Sequence, residues 1–114
     1  HGTMVRMDTD GKLVRNRIPE IIGAAGGQAT TRRLDQAERL PALLAKLQEE
    51  SDELRTAAFP AEQREELADV LEVLKGIASE LSLPWADIES AAAQKRAERG
   101  GFEAGIWLQL PPEA

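Results

Sequence analysis

From residue 18 onward the apolar positions recur at helical spacing and are interrupted by proline and glycine, a pattern that predicts four helices joined by short links. Pro19 behind Arg17-Ile18 and the pair Gly26-Gly27 bracket a short first helix, with proline early and glycine past the end. Gln28 to Leu34, containing Thr30-Thr31, reads as an extended linker or a short edge strand. Asp35 with Glu38 three residues on resembles a capping box and opens the second helical segment. Pro41 lacks the N–H for an intrahelical bond, which predicts a kink or restart, and the helical pattern then runs to about Ala58. Phe59-Pro60 breaks it, and a third helix is expected from about Ala61 to Leu81. Ser82-Leu83-Pro84 is a short connection whose serine can cap a last helix, from about Pro84 to Arg99, that Gly100-Gly101 stops. Phe102 to Leu110 alternates loosely, as a short strand would, and Pro111-Pro112 opens a tail expected to be disordered. The expected fold is therefore all-α, an antiparallel bundle of four main helices, with room for a short strand near either end.

The stripes on the two long helices carry an anomaly. With Leu43 at zero and about 100° per residue, Leu40, Leu47, Leu54, Ala57 and Ala58 fall within roughly 60° of one direction, a core-facing stripe. Glu50, seven residues after Leu43, lands on its centre line at roughly −20°. Glu53 lies on the shoulder at about −80° and Glu49 further round at about −120°. On the third helix, with Leu67 at zero, Val70, Leu71, Leu74, Ile77, Ala78 and Leu81 span about −80° to +40°, wide enough to predict burial on more than one side. Glu66 falls at about −100° and Asp69 at about −160°, on one flank. The link at Phe59-Pro60-Ala61 is short enough to make the helices antiparallel neighbours, so Glu50 with Glu53 and Glu66 with Asp69 can face each other. An acidic run such as Glu49-Glu50-Ser51-Asp52-Glu53 is ordinarily a solvated face, and the stripe position of Glu50 is what sets this one apart. A carboxylate on a buried face must be paired or hold a cation, and hard oxygen ligands at this density suit Mg²⁺ or Mn²⁺.

Composition narrows the chemistry further. The chain has 114 residues, 42% hydrophobic with two Trp, two Phe and no Tyr, which describes one domain with a core of Leu, Ile, Val and Ala. His1-Gly2-Thr3 reads as a cloning remnant ahead of Met4, so residues 1–11 are set aside as remnant and flexible N-terminus, 12–110 as the domain and 111–114 as tail. That leaves no histidine in the domain and no cysteine anywhere, which removes disulfides, thiolate zinc sites, cysteine nucleophiles and histidine-dependent triads. A net charge of −6 argues against a nucleic acid polymer as partner, because phosphate neutralisation dominates such binding. No run approaches the ~18 apolar residues of a membrane span, and no signal-peptide pattern opens the chain, so a cytoplasmic protein without a membrane partner is expected.

The ordered set Glu49-Glu50-x-x-Glu53 and Glu66-Leu67-Ala68-Asp69-Val70 resembles the EExxE and ExxD signature of the MazG-like, all-α nucleoside triphosphate pyrophosphohydrolases. The stretch Lys12-Leu13-Val14-Arg15-Asn16-Arg17-Ile18-Pro19-Glu20 resembles the KLVRDKIPE segment of a phosphoribosyl-ATP pyrophosphohydrolase-like subfamily, and Lys95-Arg96-Ala97-Glu98-Arg99-Gly100-Gly101-Phe102 its KxxRGGF segment. The departures are Asn16 for the usual Asp, Arg17 for the usual Lys, and Pro41.

The resemblance implies that Glu50, Glu53, Glu66 and Asp69 ligate Mg²⁺, with Mn²⁺ as the other option, and that Glu49 is a catalytic neighbour beside Glu50. It implies hydrolysis of a nucleoside triphosphate to the monophosphate and pyrophosphate in a house-cleaning role. Lys12, Arg15, Arg17, Lys95, Arg96 and Arg99 become the candidate phosphate contacts, arginine by its planar fork and lysine as a point charge. The same cations have plainer roles as surface charge, and the last three also favour a helix C-terminus. Trp85 and Trp107 read as core or interface anchors. Phosphoribosyl-ATP pyrophosphohydrolase of histidine biosynthesis is a second enzyme reading, from which the KLVR-like and RGGF-like segments lead away. A helical dimerisation or adaptor module with surface acids is the non-enzymatic one. The broad apolar face of the third helix, together with the family's habit of assembling through helices, leads to the expectation of a homodimer or homotetramer.

Overall fold

The computed structural model describes residues 11–111, so the stretch 1–10, including the expected remnant at 1–3, and the tail after Pro111 lie outside the described residues. Its helices are α1 (Ile18–Ala24), α2 (Gln36–Thr56), α3 (Pro60–Glu80) and α4 (Trp85–Arg99). The fold is all-α, and no strand forms among the described residues. Both strand expectations are thereby corrected. The link before α2 and the stretch 102–110 find no ladder partner, and an extended segment without one leaves its N–H and C=O groups to water. Among the described residues no helix is long and apolar enough to cross a membrane.

Two compact units divide after Ser82. In the first, α1 carries proline in its opening turn, and its C-terminal end is closed by Gly27 N–H on the Ile22 carbonyl at 2.9 Å. The capping box forms at the start of α2, with Glu38 accepting the Asp35 N–H at 3.1 Å. The helix then runs unbroken through Pro41, so the restart expected there does not occur. Pro41 withholds only the bond its N–H would have given to Ala37. Both residues are exposed, so water can serve that carbonyl while cap and packing hold the helix on either side.

Helices α2 and α3 pack as an antiparallel hairpin. On α2 the half-buried residues Leu40, Leu43, Leu47 and Leu54 follow the predicted stripe, and Ala42 and Glu50 are buried. On α3 the seam is Glu66, Val70, Val73 and Ile77, with Val73 and Ala78 buried. This seam is centred about 100° round from Leu67, at helical spacing. The expected core face of α3 is therefore corrected: Leu67, Leu71, Leu74 and Leu81 stand exposed on the adjoining face, with Leu67 at 57%. The rotation carries Glu66 and Asp69 from flank to seam. Gly76 lies opposite Leu43, where a Cβ would come 3.1 Å from Leu43 Cδ2, so the glycine sets how closely the helices approach. Ser82 ends α3 in the left-handed region at φ 58°, donating its N–H to the Ser79 carbonyl at 3.0 Å.

In the second unit α4 begins after Pro84 with no side-chain cap, so Ser82 does not cap it. Trp85 is half-buried and donates its indole N–H to Glu89 at 2.7 Å. Gly100, at φ 83°, ends the helix, and the following segment leaves Trp107 88% exposed. Trp107 is thus no core anchor within the described residues, and an interface is what remains of that expectation.

Candidate metal centre

Glu50 occupies the α2 seam because it follows Leu43 by two turns, and Glu66 and Asp69 occupy the α3 side because they continue the Val70–Val73 face towards the helix's N-terminal half. The antiparallel pairing superposes these positions. One carboxylate oxygen from each of Glu49, Glu50 and Glu53 lies within 4.8 Å of the others, and the same holds for Glu50, Glu66 and Asp69. Glu50 belongs to both triads and is 5% exposed. Oε2 of Glu50 and Oε2 of Glu66 are buried and receive no hydrogen bond among the described residues.

Among the described residues, two cations reach the cluster. Lys46 Nζ stands 3.4 Å from Glu49 and 3.6 Å from Glu50, one helical turn back. Arg15, from the segment before α1, donates Nη2 to Asp69 Oδ1 at 2.7 Å. Five carboxylates against two cations leave an excess of negative charge. Burial raises the Glu50 carboxyl above its ordinary range, and the charges of Glu53 and Asp69 push the same way against an opposing hydrogen bond from Glu66. Burial also lifts Glu66 to about 7, reinforced by hydrogen bonding to, and repulsion from, Glu50 and Glu53.

These shifts fix a sign. A carboxyl raised in the folded chain binds more protons there than in the unfolded chain, so stability falls as pH rises from the unfolded value near 4.5 through about 7. Metal-free protein should therefore melt at a higher temperature at pH 5.5 than at pH 8, and Glu66→Gln should flatten that dependence. Melting curves in EDTA across this range check it; a melting temperature that climbs with pH would refute the crowding of the acids.

The structure gathers all five sequence-predicted acids, but it divides the predicted phosphate contacts. Lys12 and Arg15 line an open trough beside the acids. Arg17 instead pairs with Glu20 at 3.3 Å. Lys95, Arg96 and Arg99 gather in the second unit around a separate hollow of about 650 Å³, with Arg96 bound to Glu103 at 2.6 Å over Gly101. Sequence reasoning missed Lys46, although it lies about 60° from Leu43 on the stripe that singled out Glu50. It also missed Arg32, Arg33 and Arg39, whose signal was a basic run flanking the capping box.

A divalent cation fits this donor set: oxygen ligands only, converging from two rigid helices, with two buried oxygens lacking any donor. The chain matches no protein-family model, no curated protein and no solved structure.

Proposed function

We propose that the protein is a metal-dependent nucleoside triphosphate pyrophosphohydrolase, releasing the monophosphate and pyrophosphate, in a house-cleaning role towards aberrant or surplus nucleotides. The observation that carries this reading is Glu50, 95% buried, unpartnered at Oε2 and shared between two carboxylate triads. Glu50, Glu53, Glu66 and Asp69 would hold Mg²⁺ or Mn²⁺. Bound there, such an ion supplies charge neutralisation for phosphate oxygens and acidifies a water. In the reaction, water adds to the α-phosphorus as the bond to the bridging α–β oxygen breaks, and pyrophosphate leaves.

The remaining work falls to the chain itself. Glu49, half-buried and held by Lys46, is placed at the edge of the cluster to orient that water and accept its proton. Lys46 and Arg15 keep positive charge beside the acids, where the phosphate chain must come to rest. The test is release of pyrophosphate from a panel of nucleoside triphosphates with and without Mg²⁺; no release from any of them at millimolar Mg²⁺ overturns the reading.

Leu67, Leu71, Leu74 and Leu81 form a stripe left 39–57% exposed, and a symmetric copy would bury it. We expect a homodimer or homotetramer whose activity falls on dilution. Light scattering and activity over one dilution series check this, and a fully active monomer at every concentration would overturn it.

A further inference from the structure

Beside the carboxylates, the first unit holds an open trough of about 980 Å³ between the segment before α1, the link 30–34 and the first half of α2. Its walls carry six cations, Lys12, Arg15, Arg32, Arg33, Arg39 and Lys46, against two carboxylates, Glu49 and Glu80. That balance is the reverse of the whole chain's, which is −6. Gathering like charges in one concavity is unfavourable unless counter-charge arrives, and the described residues offer it only to some of them. Arg32 forks onto Glu38 at 3.0 and 3.2 Å, Arg15 is held by Asp69, and Lys46 by Glu49 and Glu50. Lys12 and Arg33 have no ion-pair partner among the described residues, and Arg39 spends its Nε on the Leu34 carbonyl at 3.4 Å.

We propose that this trough binds an oligophosphate anion, the polyphosphate tail of a nucleotide, with Arg33, Arg39 and Lys12 as its principal contacts. Cations spread along a groove match charge spread along a chain of linked phosphates, whereas a lone anion would meet only a few of them. Arginine forks suit the paired oxygens of each phosphate. The volume lies within the ~300–1,000 Å³ of small-molecule sites. The trough also shares Arg15, Lys46 and Glu49 with the acid cluster, so a phosphate chain lying in it ends at the carboxylates. The identification of the anion as a nucleotide's tail rests on the hydrolase reading; the binding itself does not.

Sodium tripolyphosphate titrated calorimetrically into the full chain, in EDTA and at low salt, is the test. Binding is expected to weaken as NaCl is added. The Arg33→Gln/Arg39→Gln double variant, which changes only exposed side chains, should bind at least about 10-fold more weakly at an unchanged melting temperature. Glu50→Gln should bind as well as the wild type or better. No binding at millimolar anion, equal binding by the double variant, or tighter binding of a single-stranded oligonucleotide would each overturn the proposal. Tripolyphosphate binding with no nucleotide hydrolysis would remove the hydrolase reading and leave the trough standing. Hydrolysis indifferent to Arg33 and Arg39 would overturn the assignment of the trough to a nucleotide's tail and leave the hydrolase reading standing.

Discussion

Glu50→Gln and Asp69→Asn are each expected to lower turnover by at least about 100-fold while leaving the protein folded, since even partners one step removed from a metal cost about 10–100-fold when lost. The two variants separate function from stability in different ways. Glu50 is buried among acids with no donor at Oε2, so the neutral isostere removes repulsion and should hold or raise the melting temperature of metal-free protein at pH 8. Asp69 accepts an exposed ion pair from Arg15, and losing an exposed pair costs about 0–1 kcal/mol, too little to unfold the chain. A drop in activity therefore cannot be assigned to unfolding in either case, and circular dichroism with melting curves verifies that. Wild-type turnover by either variant at saturating Mg²⁺ would remove its residue from the ligand set.

The helices were legible because their punctuation is local. Pro19, the Asp35–Glu38 box, Phe59-Pro60 and Gly100 each act within a turn, and each lies at or within a residue or two of a helix end. Pro41 misled as to a restart for the same reason: a local rule predicts the cost of one missing hydrogen bond, not whether exposure and packing can offset it. Glu50 was legible because a centre-line position on the leucine stripe of α2 fixes burial whichever partner packs there. The face of α3 was not. Its large apolar residues, from Val73 round to Leu71, span about 160° of the helix, and periodicity cannot say which part a single neighbour takes. The Val73 side is packed and the Leu71 side is left open, and that choice makes Glu66 and Asp69 part of the seam. The trough escaped notice because its cations come from three stretches of chain that only the fold brings together.

That same choice of face sets the size of the response to metal. Five carboxylates meet at the seam with only Lys46 and Arg15 among the described residues to balance them, so the metal-free hairpin bears a repulsion that a divalent ion would relieve. Adding Mg²⁺ or Mn²⁺ at ~100 times the dissociation constant should stabilise the protein by about 2.7 kcal/mol, the effect of an ion that binds the folded chain alone. For a domain of this size that is a rise in melting temperature of at least about 10 °C. The rise should be larger at pH 8 than at pH 6, since Glu66 titrates at about 7 and protons compete with the ion for its oxygens. Glu50→Gln, lacking the carboxylate common to both triads, should show little of it at either pH. Equal ionic strength of NaCl serves as the control, because it screens exposed charge without occupying the seam. A melting temperature unmoved by millimolar metal, with calorimetry silent as well, would leave the acids without a cation and make the open leucine face of α3, the surface of an association module, the hairpin's main functional feature.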